Sequence, residues 1–146
     1  MTVQANDPTS SRTADEILLD ADNPALLVCS VFEDQRPLKG VAGALDWRLK
    51  GFLSRFVMSG RITGANEEYV YVPIKHESHV KHLMLVGLGA HGAKSDKHGD
   101  QVLTGLAKRV ADLKFKRVAV SRSSFPFLDE NRIKRALKGV EVEFTQ

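Results

Sequence analysis

A chain of 146 residues, 42% of them hydrophobic and 27% charged, can bury one sizeable core but not two independent ones. No apolar run approaches the roughly 20 residues of a membrane-spanning helix, and the polar start lacks the basic and apolar regions of a secretory signal. The net charge of +3 is uneven: residues 1–46 hold eight acidic and three basic side chains, whereas residues 108–138 hold ten basic and three acidic ones.

Met1 to Asp15, rich in Ser, Thr and Asp, reads as a disordered polar tail (residues 1–15) before a single domain over residues 16–146. Glu16 to Leu19 is predicted as a short strand. Ala25 to Phe32 is a continuous apolar run of strand length, expected to be buried on both faces. It contains Cys29, the only cysteine, which rules out an internal disulfide and reads as a buried thiol in a reducing, cytoplasmic setting. From Val41 to Met58 the residues Val41, Leu45, Leu49, Phe52, Leu53, Phe56 and Val57 recur at helical spacing, predicting one amphipathic helix closed by Gly60. Tyr69 to Ile74 reads as a strand, with Pro73 marking a strand end or a sheet edge. Lys81 to Val86 is a second buried strand, running into Gly87-Leu88-Gly89-Ala90-His91-Gly92.

A helix starting near Asp100 follows, carrying Val102, Leu103, Leu106, Ala107, Val110 and Leu113. Arg117 to Ser121 is a strand and Ser123 to Leu128 a loop. Asp129 is expected to cap a helix to Lys138, Gly139 to end it, and Val140 to Phe144 to form the last strand. Strands alternating with helices imply a largely parallel sheet covered on both faces, with right-handed crossovers.

Candidate sites compete with plainer readings. Gly87 to Gly92 matches G-x-G-x-x-G after a strand, a pattern that cradles a dinucleotide phosphate at a helix start. The next helix is expected too late for that, and no acidic residue follows to hold a ribose, so the glycines are read as a sharp exit from the sheet and no cofactor is expected. His76, Glu77, His79 and His82 lie close together, but Val80 stands where H-E-x-x-H needs its second histidine, and the segment is read as a solvated loop with no metal. Ser121-Arg122-Ser123-Ser124 could contact an anion, although a turn explains it equally well. The basic segment 108–138 could meet nucleic acid. Favourable charges at the ends of a helix, with Asp129 and Glu130 at its start and Lys134, Arg135 and Lys138 at its close, are the preferred explanation. Neither G-x-S-x-G, a P-loop nor an acid/base carboxylate pair occurs.

The segment from Ala25 to Gly92 also carries a resemblance. A strand ending in Val31-Phe32-Glu33-Asp34, the helix Gly43-Ala44-Leu45-Asp46 through Phe52-Leu53-Ser54-Arg55, then Ser59-Gly60-Arg61-Ile62-Thr63-Gly64 and Leu83-Met84-Leu85-Val86-Gly87-Leu88-Gly89 resemble the N-terminal domain of leucyl aminopeptidases (cytosol aminopeptidases). The resemblance implies a macro-domain-like α/β fold: three layers, with a mixed, mostly parallel sheet flanked by helices. It also implies no catalysis, because that family's two-metal peptidase site and its N-T-D-A-E-G-R signature belong to a C-terminal domain, and no such string is present in this chain, which ends at Gln146. The expected role is a stand-alone regulatory or protein-interaction module, with a protein partner or self-association. Macro domains bind ADP-ribose, and Gly40-Val41-Ala42-Gly43-Ala44-Leu45 is similar to their glycine-bearing loop. An alternative is therefore a nucleotide-type ligand held by Gly40, Val41, Gly43, Gly87, Gly89 and Gly92. Against it, Glu33 and Asp34 stand where an asparagine-rich stretch is usual and would repel a diphosphate. A third reading is nucleic-acid binding through residues 108–138.

Overall fold

The computed structural model describes residues 13–19, 25–76 and 78–145. Strand β1 (Leu26–Val31) forms the centre of a five-stranded sheet ordered β2-β3-β1-β4-β5, with β2 (Tyr69–His76), β3 (His79–Gly87), β4 (Arg117–Ser121) and β5 (Glu141–Thr145). β1 is parallel to both neighbours, pairing Leu26 with His82 on one side and with Val118 on the other. β4 and β5 are also parallel, while β2 and β3 form an antiparallel hairpin. β2 lies at the sheet edge, which is where Pro73 can be tolerated in mid-strand.

The continuous apolar run of β1 has a simple cause. Leu27, Cys29 and Val31 enter one core, and Leu26 and Val28 enter another on the opposite face. The first core lies under α1 (Ala14–Leu19), α2 (Gly40–Arg48) and α3 (Phe52–Met58). The second lies under α4 (Asp96–Leu113) and α5 (Glu130–Ala136). Each fully buried Leu or Val contributes roughly 1.5–3 kcal/mol, and the one polar residue of β1, half-buried Ser30, has its hydroxyl bonded to the Ser124 carbonyl. The three-layer, mostly parallel α/β arrangement expected from the sequence is the one formed.

Four local expectations are corrected. Glu16–Leu19 is helical: Ala14 and Ile17, three residues apart, are both buried, and the Glu16 amide donates to Thr13 Oγ1 at 3.2 Å. A four-residue window is too short to distinguish that period from a strand. The single helix expected over 41–58 is two, broken where Lys50 (φ 57°) and Gly51 (φ 81°) turn left-handed. The apolar spacing survives because Asp46 bridges the break, its Oδ1 accepting from the Ser54 amide at 2.9 Å and its other oxygen from the Ser54 hydroxyl. α4 begins at Asp96, not near Asp100. Ser95 caps it by accepting from the His98 amide at 3.1 Å, and its first turns carry polar residues and Gly99 where the apolar stripe would show. The segment read as a histidine loop is a hairpin in which His76 pairs with His79, and His82 Nδ1 lies 2.6 Å from the Tyr71 hydroxyl. Glu77 and residues 1–12 of the expected tail lie outside the described residues.

α5 stops at Ala136, two residues short of the expected Lys138, and β5 runs Glu141–Thr145 where Val140 to Phe144 was expected, while the ends at Gly60 and Asp129 agree with the sequence. Gly60 (φ 79°) ends α3 with its amide donating to Val57 O (3.1 Å) and that of Arg61 to Phe56 O (2.9 Å), the paired bonds of a glycine-terminated helix. Asp129 caps α5 by accepting from the Arg132 amide at 2.8 Å. Among the described residues, no helix is long and apolar enough to cross a membrane.

Candidate functional site

The site follows from where the strands lead. After β1 the chain passes to α2 on one face of the sheet, and after the adjacent β4 it passes to α5 on the other. Neighbouring parallel strands whose exits diverge leave a crevice beyond their carboxyl ends, the usual ligand position in open α/β sheets. A crevice of about 240 Å³ lies there. One wall is the first turn of α2, Gly40 to Ala42, preceded by Lys39, and the facing wall is Ser123 and Ser124. Ser30 ties the floor together by donating from Oγ to the Ser124 carbonyl at 3.0 Å, and Ser124 Oγ donates to Ser121 Oγ at 2.9 Å.

The electrostatics of this crevice are one-sided. The first amides of any α-helix have no partner within the helix, and the N-cap residue Lys39 supplies no side-chain acceptor. The helix dipole adds partial positive charge at that end, and Lys39 adds a cation. No acidic residue lines the crevice. Such a wall accepts a phosphate or carboxylate group and disfavours a cation.

A second pair of diverging exits, between β1 and β3, is filled by protein. The amide of Gly89 donates to Gly64 O (2.8 Å), its carbonyl accepts from Glu33 N (2.9 Å), and Gly87 N donates to Glu68 O (2.7 Å). A side chain at Gly87 would put its first carbon 2.0 Å from Ala65 O, so this glycine exists to admit the 63–65 loop. Gly43 has a similar packing role, since a Cβ there would lie 2.5 Å from Leu38 O. Of the six glycine-loop residues singled out in the sequence, Gly40 and Val41 line the crevice. Gly87 and Gly89 are buried against residues 64–68, and Gly92 is exposed at φ 138°. The crevice thus brings the first glycine loop against the serine turn, not against the second glycine loop. The available sequence signal was the hydroxyl run Ser121-Arg122-Ser123-Ser124 directly after a strand.

The acidic pair expected to repel an anion is placed elsewhere. Asp34 accepts from the His91 amide at 3.0 Å and lies 3.1 Å from its ring Nδ1, contacts that hold its carboxyl below the usual range. Neither Glu33 nor Asp34 lines the crevice. Arg36 fixes the intervening loop by donating to the carbonyls of Phe32 (2.9 Å), Gln35 (2.8 Å) and Thr63 (2.8 Å). Beside the serine turn, and sharing Ser123 with the crevice, is a hollow of about 590 Å³ with Phe125, Pro126 and Phe144 among its lining.

Elsewhere, Cys29 is fully buried, and loss of solvation pushes its thiol up to about 12, consistent with the inert hydrophobe read from sequence. Several charges of the 108–138 segment meet carboxylates: Arg132 donates to Asp100 (2.7 Å), Arg122 lies 3.0 Å from Glu130, and Arg117 lies 3.9 Å from Glu141. Among the described residues, no three His, Cys, Asp or Glu side chains stand close enough together to hold a metal.

Comparison with known families matches residues 28–141 to the N-terminal domain of the cytosol aminopeptidase family. Among solved structures, the macrodomain of Mycobacterium tuberculosis DarG is similar at 19% identity with a TM-score of 0.66, over 92% of this chain and 95% of that one. The macrodomain of Thermus aquaticus DarG is similar at 18% identity and a TM-score of 0.65, over 93% and 95% of the two chains. A mutant of tomato leucine aminopeptidase is similar at 17% identity and a TM-score of 0.56; 85% of this chain aligns with 29% of that enzyme. At these identities the likeness is one of fold. Comparison with curated protein sequences finds no match.

Proposed function

The chain belongs to the cytosol aminopeptidase family through its N-terminal domain, and from that premise we propose a non-catalytic binding module that holds a phosphate-bearing, nucleotide-type ligand in the crevice. One observation carries this reading. The first turn of α2, with no side-chain cap, lines with the serine turn, and its exposed Ser123, a crevice that no carboxylate lines. Gly40 and Val41 present the helix end to the ligand, Lys39 contributes a charge, and exposed Ser123 supplies a hydroxyl from the opposite wall, where Ser124 is held by Ser121. Gly43, Gly87 and Gly89 act one step back, by allowing the close packing that fixes the two loops. A diphosphate suits about 240 Å³, and the adjoining hollow has room for the rest of a nucleotide against Phe125, Pro126 and Phe144. The macro-domain-like fold makes ADP-ribose the first ligand to test.

Isothermal calorimetry decides the matter. Binding of ADP-ribose with a Kd below about 1 mM, equivalent to roughly −4 kcal/mol, is expected. Ser123→Asp puts a carboxylate on the wall at an exposed position and should weaken binding at least tenfold. No heat at millimolar ADP-ribose and at millimolar ADP would remove this reading. Hydrolysis of leucine anilide by the pure chain with manganese, abolished by a chelator, would contradict the non-catalytic assignment.

A further inference from the structure

Away from the crevice, the α2–α3 hairpin exposes apolar surface that the two cores do not use. α2 buries Ala42 and Leu45, and α3 buries Leu53. Trp47 and Met58 on the same two helices are each 85% exposed, far more than Val80 or Leu113, the other large apolar side chains exposed among the described residues. Between them in sequence Phe52 and Phe56 pack edge to face at 5.1 Å, with the Arg55 guanidinium 5.8 Å from the Phe52 ring and that of Arg61 5.8 Å from the Phe56 ring. Residues 40–61 carry exposed Lys50, Arg55 and Arg61, while their single carboxylate, Asp46, is held by Ser54. Tryptophan, methionine and arginine together are the side chains enriched where proteins meet, whereas isolated apolar residues on a surface carry no such message.

We infer that the α2–α3 hairpin is a docking surface for an acidic, amphipathic segment of a partner protein. The apolar groups of that segment cover Trp47 and Met58, and its carboxylates face Lys50, Arg55 and Arg61. Charge selects the partner: three exposed cations on a hairpin whose one anion is held internally favour an acidic segment and penalise a basic one. The guanidinium groups of Arg55 and Arg61 are held over rings, which places their charge beside apolar surface. A purely polar polyanion would leave that apolar surface uncovered. This inference is independent of the crevice, because none of these residues lines it.

Trp47 is the only tryptophan, so the surface carries its own reporter. Intrinsic fluorescence of the full chain is titrated with a 16-residue peptide alternating Leu/Phe with Asp/Glu, with a Leu/Phe–Lys peptide and a single-stranded oligonucleotide of equal charge as comparators. The acidic peptide should shift Trp47 emission to the blue with a Kd below about 1 mM, and the double charge reversal Arg55→Glu with Arg61→Glu should weaken it at least tenfold. Far-ultraviolet circular dichroism confirms that the double variant is folded; should it not be, Lys50→Glu alone, in the exposed link between the helices, should weaken the peptide at least threefold. An unshifted Trp47, an equal response to the basic peptide, or equal affinity for the oligonucleotide would each overturn the inference.

Discussion

Replacing Gly87 by alanine tests whether the second glycine loop exists for packing. The new methyl carbon would lie 2.0 Å from the Ala65 carbonyl oxygen and 2.8 Å from the Gly64 carbonyl carbon, both backbone atoms. Ordinary van der Waals contact is more than an ångström longer, so residues 63–65 must move. They cannot move alone. Gly64 N and Thr63 N donate to the Glu68 carboxylate at 2.8 and 3.0 Å, and Gly89 N donates to Gly64 O at 2.8 Å. Overpacking of this kind costs about 1–3 kcal/mol, and one or two strained hydrogen bonds add about 0.5–1.5 kcal/mol each. The sum, about 1.5–6 kcal/mol, is a large part of the roughly 5–15 kcal/mol that keeps a domain folded. Urea denaturation followed by circular dichroism should show a midpoint far below the parent, or no native baseline. Gly92→Ala is the control: no atom lies within 4 Å of its added carbon, so only the backbone strain at φ 138° remains, and the loss should be smaller. A Gly87→Ala protein within about 0.5 kcal/mol of the parent would refute the packing argument.

Asp46→Ala removes the bridge across the α2–α3 break and should cost about 1–2 kcal/mol, the usual effect of losing a helix cap; an unchanged urea midpoint would mean that Asp46 does not hold Ser54 in solution. Cys29, fully buried with its thiol pushed up to about 12, should resist Ellman's reagent in the folded chain and react completely in 6 M guanidinium; rapid labelling of native protein would contradict the core assignment. Burial lowers the ring pKa of His82, and of His98 likewise, so both favour the neutral form when folded. The unfolded chain therefore binds more protons below its histidine pKa of about 6.5, and stability should be complete above that pH and decline as the pH falls through it. Asp34, whose pKa is lowered, works in a more acidic window and adds nothing to this change. A urea midpoint that rises from pH 7.5 to pH 5.5 would contradict the sign.

Much of the fold was legible because burial dictated residue type. β1 reads as apolar apart from Ser30 since alternate residues enter two different cores, and α5 and the start of β5 are bracketed by the Asp129 cap and Gly139. What failed was local and hydrogen-bonded. The break at Gly51 is hidden because Asp46 carries the helical spacing across it, and the start of α4 is hidden because Ser95 caps a turn containing no apolar residue. The site was half visible. Gly40 and Val41 lie on the crevice, but Gly87 and Gly89 have the same sequence appearance and a different cause, close contact with a loop more than 20 residues earlier. No single-chain pattern distinguishes a glycine that lines a crevice from one that admits backbone. Ser123 and Ser124 looked like any turn, because their place on the crevice depends on β4 lying beside β1, a pairing across some 90 residues.

The measurement that bears most directly on the proposed crevice is an amide chemical-shift titration of the isotope-labelled chain with ADP-ribose. The largest shifts should fall on Gly40, Val41, Ser123 and Ser124, saturate together, and vanish in the Ser123→Asp variant. Shifts centred on Gly87 to Gly92, or none at millimolar ligand, would contradict the account.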